Sequence, residues 1–215
     1  MSYTLVIGNK ALSSWSLRPW LLMKVFDIPF EEVKVRFRQP DTREQILAHS
    51  PGGLVPVLKD DGLTIWDSLA IAEYLAEKHP DLGLWPEDPA ARAHARSITA
   101  EMHAGFSNLR TIWPMDAITE DAGLITPQAV QKDLARIFAI WNETIDRFGG
   151  DGPYLFGSFS IADAFYAPVA FRIRPFGPVA MPHPSDSYYE TLLGHPAMAE
   201  WAEGALREQA EGWYD

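Results

Sequence analysis

Hydrophobic and polar positions follow different rhythms in the two halves of the chain. In the first eighty residues, short apolar runs typical of strands alternate with helical segments. The predicted strands are residues 4–7, 30–37, 55–58 and 63–66. In the second of these, Val33, Val35 and Phe37 alternate with charged residues, which is the pattern of a half-buried strand. Residues 59–62 predict the turn of an antiparallel hairpin between the last two strands.

Three helices are predicted between and after these strands, and they run to about Phe26, His49 and His79. A serine cluster opens the first, Asp41–Glu44 has the residue order of a capping box for the second, and Asp67 or Ser68 caps the third. The resulting order is β-α-β-α-β-β-α. Since a helix joins the first two strands, they are expected to be parallel with a right-handed crossover. This order predicts a compact mixed α/β domain over residues 1–80.

Strand patterns disappear after residues 81–87, a linker rich in proline and glycine. The spacing of apolar residues and the helix start signals predict further helices over about 88–111, 126–148, 160–172 and 195–207. Ser160–Asp163 has the order of a capping box, and four prolines predict an irregular loop over residues 175–184. The second half, residues 88–215, is therefore predicted to be an all-α domain.

Composition narrows the classes of protein that fit. The 215 residues are 47% hydrophobic and 22% charged, which is ordinary for a globular protein with a sizeable core. No apolar run approaches the length of a membrane-spanning helix, and residues 1–4 lack the basic segment of a secretory signal. Eighteen Lys and Arg against 29 Asp and Glu give a net charge of −11, without a dense basic patch. We therefore expect a cytoplasmic protein without a nucleic-acid or membrane partner.

Residue counts also restrict the chemistry. The chain contains no cysteine, which excludes disulfides, thiolate metal sites and a protein thiol nucleophile. Its six histidines include no i, i+4 pair beside a carboxylate, so a helical zinc motif is absent. No metal is therefore predicted.

Three features of the first half point to one place. Ser13, Ser14 and Ser16 lie between a strand and a helix, Val55-Pro56 lies where a loop enters a strand, and Asp67-Ser68 precedes another helix. Helix N-termini carry free N–H groups and favour anions. Taken singly, each feature has an ordinary structural explanation as a helix cap or a strand-edge proline.

In this order, and with this domain layout, the segments resemble the glutathione S-transferase family, most closely its zeta-like, serine-using members. The resemblance is carried by residues 13–18, 50–58 and 65–75, and in the second half by the capping box at 160–163. It implies a thioredoxin-like, glutathione-binding domain followed by a helical bundle that lines the electrophile site. It also implies a homodimer.

The resemblance assigns the thiol chemistry to the first serines. Ser13 or Ser14 would donate a hydrogen bond to the glutathione sulfur, with Trp15 as part of the glutathione site. A thiol with a pKa of about 8.5 becomes mostly ionised at pH 7 after a fall of about 2 units, which requires about 2.7 kcal/mol. A hydrogen bond to a charged group supplies about 1.5–3 kcal/mol, and a helix N-terminus adds about 0.3–1 kcal/mol. The sum is sufficient, and the residues leave open which serine acts.

The same resemblance implies roles for four further residues of the first half. The main chain of Val55 would pair with the cysteinyl part of glutathione, with Pro56 in the cis form. Ser68 would hold the γ-glutamyl carboxylate through its hydroxyl and N–H. Asp67 would face the ammonium group, although family members more often carry Glu or Gln at that position.

The second half is expected to supply the electrophile pocket. His103, Ser107 and Arg110 fall at spacings of three and four on the predicted helix over 88–111, which places them on neighbouring stripes. Arg110 would contact an anionic substrate or the glycyl end of glutathione. Ordinary explanations stay open for both charged residues: a solvated or salt-bridged arginine and a histidine at a polar rim.

These features predict a glutathione S-transferase that activates the glutathione thiol for conjugation to, or isomerisation of, a small electrophile. Two alternatives remain open. One is an enzyme similar to maleylacetoacetate isomerase. Trp15 is an argument against this alternative, because zeta-type members usually carry cysteine at that position. The other is a non-catalytic binding or regulatory module with the same fold.

Overall fold

The computed structural model describes residues 3–120, 126–176 and 179–214. Its N-terminal part is built on four strands: β1 (Tyr3–Ile7), β2 (Phe30–Lys34), β3 (Val57–Asp60) and β4 (Leu63–Trp66). The sheet order is β2-β1-β3-β4, in which β1 is parallel to β2 and antiparallel to β3. In this register Val6 faces Val33 on one side and Val57 on the other. The predicted mixed α/β fold is confirmed.

The helices of the N-terminal part are α1 (Ser14–Val25), α2 (Thr42–Leu47) and α3 (Ser68–Lys78). The C-terminal part is helical and contains α4 (Pro89–Ala104), α5 (Ser107–Ile112), α6 (Gln128–Thr144), α7 (Ile161–Ile173), α8 (Ser185–Leu193) and α9 (Pro196–Ala210). Short 3₁₀ segments cover Pro80–Leu82 and Arg174–Phe176, and a π-helical turn over Ile145–Gly149 follows α6.

Helix α7 is the centre of the molecule. All of its residues are buried, and it packs against α1, α4 and α8, so it joins the two parts of the chain. Its start is fixed as predicted: Asp163 accepts hydrogen bonds from the N–H and hydroxyl of Ser160 at 2.8 and 2.9 Å. The same carboxylate also accepts from the N–H of Leu155 and the hydroxyl of Tyr188. The start of α7 is therefore tied to the loop before it and to α8.

The predicted long helix over 88–111 is wrong, because it breaks between α4 and α5. Gly105 has extended backbone angles and Phe106 is left-handed, with a φ of 60°. A Cβ at Gly105 would lie 2.7 Å from the main-chain oxygen of Glu101, so only glycine fits without a shift. The break turns α5 away from the line of α4.

Three local predictions are also corrected. Strand β2 ends at Lys34, although Val35 still donates its N–H to Ile7. The hairpin turn is only two residues long, Asp61-Gly62, and both have positive φ, as a type I′ turn requires. The capping box at the start of α2 does not form, because the Asp41 carboxylate accepts from the side chain of Gln45 instead.

The sequence pattern does not predict α8, which lies directly after the proline-rich run. Its core-facing residues are few, with Tyr188 and Leu192 buried one turn apart, and this stripe is too short to predict a helix from spacing.

In the part of the chain that the structure describes, no helix is long and apolar enough to cross a membrane.

Candidate functional site

The N-termini of α1 and α3 meet the break between α4 and α5 at one point, which we call the junction site. Four residues mark it: Trp15 on α1, Asp67 before α3, His103 near the end of α4 and Arg110 on α5. The rings of Trp15 and His103 pack edge to face, with centroids 5.2 Å apart. Nε2 of His103 lies 3.3 Å from Oδ2 of Asp67. The two parts of the chain therefore touch beside the serine cluster.

The two candidate serines have different hydrogen-bond partners. Ser13 is the N-cap of α1, where its Oγ accepts from the N–H of Ser16 at 3.4 Å and donates to the Ser16 hydroxyl at 2.8 Å. Ser14 is the first residue of the helix, and its Oγ accepts from Nη2 of Arg172 at 2.9 Å. Both serines are buried. The cap explanation therefore accounts for Ser13, whereas Ser14 is held by the C-terminal part.

The loop before β3 keeps main-chain groups available. The peptide bond between Val55 and Pro56 is cis, as the resemblance implies. Strand pairing begins only at Val57, which faces Val6 and Trp66. Within the described residues, Val55 makes no main-chain hydrogen bond, so its N–H and carbonyl can pair with an extended ligand.

At the start of α3, the aspartate forms the cap and the serine hydroxyl stays free. Asp67 has a φ of 74°, and its Oδ1 accepts from the N–H groups of Leu69 and Ala70 at 2.8 and 3.3 Å. Ser68 is 1% exposed, and its Oγ has no hydrogen-bond partner within the described ranges. A buried hydroxyl without a partner is costly in a folded protein, and at this helix N-terminus a ligand oxygen can satisfy it.

A buried arginine behind the serines is the main feature that the sequence analysis misses. Arg18 is fully buried between the rings of Trp15 and Phe165, which lie 4.3 and 4.6 Å from its guanidinium carbon. None of its side-chain nitrogens has a hydrogen-bond partner among the described residues. Burial lowers the pKa of Arg18 well below its usual value, and the charges of Arg110 and Arg172 lower it further. A buried guanidinium without a partner is costly, and an anion in contact with it would lower that cost.

The sequence contains a signal for these arginines. Arg18 stands in the apolar run of α1, and Arg172 stands in α7, whose residues are otherwise almost all apolar. A charged residue inside an apolar helical run is rarely buried without a partner. The pattern alone does not say what the partner is.

The structure separates the three predicted electrophile-pocket residues. Arg110 donates to the main-chain oxygens of Gly105 at 2.8 Å and of Met102, so it caps the end of α4. Ser107 is exposed at the first residue of α5, on a different helix from His103. The prediction that they lie on neighbouring stripes of one helix is therefore wrong, because the helix breaks at Gly105, although His103 and Arg110 both reach the junction site.

The surroundings of His103 lower its pKa. Burial lowers its pKa, the carboxylate of Asp67 opposes this, and the positive charges of Arg18 and Arg110 lower the pKa further. Its Nδ1 is buried without a partner among the residues the structure describes. This nitrogen can therefore form a hydrogen bond with a ligand.

The junction site thus offers unpaired donors and one cluster of positive charge. The hydroxyl of Ser68 and the guanidinium of Arg18 suit carboxylates, and the hydroxyl of Ser14 suits a thiolate. Within residues 3–120, 126–176 and 179–214, no group of three His, Asp or Glu side chains could hold a metal ion. The residues present therefore suit an anionic organic ligand that carries its own reactive group.

Comparison with known proteins gives one consistent family. Residues 12–78 match the model for the N-terminal domain of glutathione S-transferase, and residues 127–204 match the model for its C-terminal domain. Maleylacetoacetate isomerase of Rattus norvegicus is 31% identical over 84% of this chain and 82% of its own length. Glutathione S-transferase GstB of Escherichia coli K12 is 27% identical over 83% of this chain and 88% of its own.

Solved structures show the same fold. A glutathione transferase homologue from Burkholderia gl BGR1, with bound glutathione, superposes with a TM-score of 0.72 at 22% identity. The match covers 96% of this chain and 99% of that protein.

Proposed function

Because this chain belongs to the glutathione S-transferase family, we propose that its junction site binds glutathione and transfers it to a small electrophile. The observation that supports this site most directly is the unpaired hydroxyl of Ser68, 1% exposed at the start of α3. A glutathione carboxylate there would satisfy the hydroxyl and face a helix N-terminus.

The other parts of glutathione would lie against groups of the protein that are free to bind them. The main chain of Val55 would pair with the cysteinyl part, since it makes no main-chain hydrogen bond of its own among the described residues. The sulfur would then lie near Ser13 and Ser14. Oδ2 of Asp67, which takes no part in the helix cap, would accept from the ammonium group beside His103.

The reaction needs only a thiolate and a leaving group. The thiol gives its proton to solvent, and a serine hydroxyl and the start of α1 stabilise the remaining negative charge. With an aryl halide, the sulfur forms a bond to the ring carbon, and the carbon–halogen bond breaks with its electron pair leaving as halide. The protein contributes no atom to the product, in agreement with its lack of cysteine.

Three measurements test this proposal. The protein should be retained on immobilised glutathione, show thiolate absorbance in the ultraviolet when glutathione binds at neutral pH, and conjugate a generic aryl halide. Binding without turnover on any electrophile would favour the regulatory module. An absence of binding would contradict the proposal altogether.

Isomerisation is the second candidate, because several proteins named maleylacetoacetate isomerase are similar to this chain over most of its length. In such a reaction the thiolate adds to a carbon–carbon double bond, the resulting single bond rotates, and elimination returns the thiolate. Glutathione is therefore required but not consumed. Conversion of a cis-enedione acid to its trans form, with constant glutathione, would establish this activity, and strict consumption of glutathione would exclude it.

A homodimer is the proposed assembly. Leu47, Leu54 and Trp66 are 48%, 73% and 49% exposed, and all three lie at or beside the loop formed by Gly52 and Gly53. Such an exposed apolar patch is typical of a protein interface. Trp66→Glu should therefore give a monomer in light scattering, and Leu206→Glu, a control on the exposed side of α9, should not. A wild-type monomer would contradict the assembly.

The cytoplasm is the proposed location, which cell fractionation tests.

A further inference from the structure

The hydroxyl of Ser13 is already occupied by its own helix. It donates to the Ser16 hydroxyl over 2.8 Å and accepts from the Ser16 N–H at 3.4 Å. The Ser16 oxygen also accepts from the N–H of Gly8, which fixes this pair against the end of β1. To donate to a ligand, Ser13 would have to give up the hydrogen bond to Ser16.

The hydroxyl of Ser14, in contrast to that of Ser13, is free to donate a hydrogen bond. Its oxygen accepts a hydrogen bond from Nη2 of Arg172, and within the described parts of the chain its own hydrogen has no acceptor. A hydroxyl oxygen that accepts from a cation becomes a stronger donor, because the two hydrogen bonds polarise one another. Ser14 therefore has a free hydrogen and an enhanced tendency to donate it.

Arg172 is held in place for this contact. Its Nη1 donates to the main-chain oxygens of Trp113 at 2.8 Å and Arg110 at 3.3 Å, which leaves Nη2 directed at Ser14. The residue is 5% exposed. Burial, with a smaller effect of Arg110, lowers its pKa to about 9, so it stays charged at neutral pH.

We infer that Ser14, not Ser13, donates the hydrogen bond to the thiolate, and that Arg172 is the positioning residue that orients Ser14 and strengthens it as a donor. This inference rests on the proposed glutathione site. Since Ser14 begins α1 and Arg172 lies on α7, the thiol-activating group is assembled from both parts of the chain. An isolated N-terminal part would lack half of it.

The experiment compares single variants by ultraviolet titration of bound glutathione, with calorimetry for affinity and thermal unfolding for integrity. Ser14→Ala should lower the acid dissociation constant of the bound thiol by about 10- to 100-fold, as expected for a lost hydrogen bond to a charged group. Ser13→Ala should change it by less than about threefold, since its hydroxyl serves the helix cap.

A double-variant cycle tests the arginine. Arg172→Lys should lower the acid dissociation constant of the bound thiol about 3- to 10-fold when Ser14 is present and leave it unchanged in the Ser14→Ala background. Arg174→Lys is the matched control, because Arg174 donates to Ala117 and contacts neither serine. If the lysine variant does not fold, the neutral variant Arg172→Gln replaces it, and the part of its effect that disappears in the Ser14→Ala background measures the contact with Ser14.

Different outcomes would contradict different parts of the proposal. A larger effect of Ser13→Ala than of Ser14→Ala would overturn the assignment of the donor. An equal effect of Arg172→Lys in both backgrounds would show that the arginine acts through charge or folding, not through Ser14. In both cases the wild type still forms a thiolate. A wild type that binds no glutathione would instead contradict the proposed function.

Discussion

The guanidinium carbon of Arg110 lies 4.7 Å from the centre of the Trp15 ring, so the break between α4 and α5 faces the helix that carries the serines. The same guanidinium donates to main-chain oxygens at the end of α4, including that of Gly105 at 2.8 Å. One side chain therefore fixes the end of a helix and one wall of the junction site.

Arg110→Ala should lower the free energy of unfolding by about 1.5–3 kcal/mol, because several carbonyl oxygens lose a charged donor. Urea denaturation measures this directly. The matched control is Arg136→Ala, which removes an exposed pair with Glu101 between α4 and α6 and should cost about 1 kcal/mol or less. Equal losses in the two variants would contradict the capping role of Arg110.

Ser68→Ala should leave the free protein as stable as the wild type or slightly more stable, because its hydroxyl has no partner to lose among the described residues. Glutathione affinity should fall about 10-fold or more in calorimetry, since a hydrogen bond to a carboxylate is lost. Thr99→Val is the control, because Thr99 is a second buried hydroxyl without a described partner, located inside α4. It should not change affinity.

Asp163→Ala should destabilise the protein by about 0.5–2 kcal/mol at pH 7 through the lost cap, without changing glutathione binding. Burial raises the pKa of Asp163 to about 6, although four hydrogen bonds oppose this. The unfolded carboxyl titrates near pKa 3.9, so the folded protein retains a proton that the unfolded chain has released between about pH 4 and 6. This contribution to stability is complete below about pH 4 and is lost as the pH rises to 6.

The alanine variant should therefore lose about 1–2 kcal/mol more at pH 4.5 than at pH 7, measured by urea denaturation at both values. Asp116→Ala provides a control of opposite sign. Burial acts to raise the pKa of Asp116, but hydrogen bonds from Thr119 and Ile118 lower it overall. Its stabilising effect is present at neutral pH and declines as the pH falls. A loss for Asp163→Ala that does not change with pH would contradict the raised pKa.

Much of the N-terminal part could be predicted from sequence because its signals are local. Strand alternation, the Asp61-Gly62 turn and the cap before α3 each depend on a few neighbouring residues. The capping box at Ser160 was predictable for the same reason. The domain boundaries 1–80 and 88–215, with a linker at 81–87, stay a prediction.

The remaining features depend on contacts between distant residues. The helix break at Gly105 is stabilised by Arg110, whose side chain donates to main-chain oxygens five and seven residues earlier in the chain. The partner of Ser14 is Arg172, 158 positions away, which no pattern around the serines indicates. The sequence could therefore indicate a candidate site but could not distinguish between its serines.

Asp67→Asn should lower the pKa of His103 further, because the Asp67 charge partly opposes the lowering caused by burial. Asparagine can keep the cap on α3, so the helix should stay intact. Nuclear magnetic resonance of the imidazole during a pH titration measures the change, and a His103→Gln variant identifies the signal. An unchanged titration would mean that the 3.3 Å contact between Asp67 and His103 does not persist in solution.

The burial of Arg18 has a consequence for how ionic strength affects the protein. Mobile ions screen exposed charges beyond about 8–10 Å at 0.1–0.15 M salt but weaken a buried charge far less. The net charge of −11 repels a dissolved anion from outside, whereas the guanidinium between Trp15 and Phe165 attracts it from within. Added salt should therefore reduce the repulsion and leave the attraction, so that anionic ligands associate faster as the salt concentration rises.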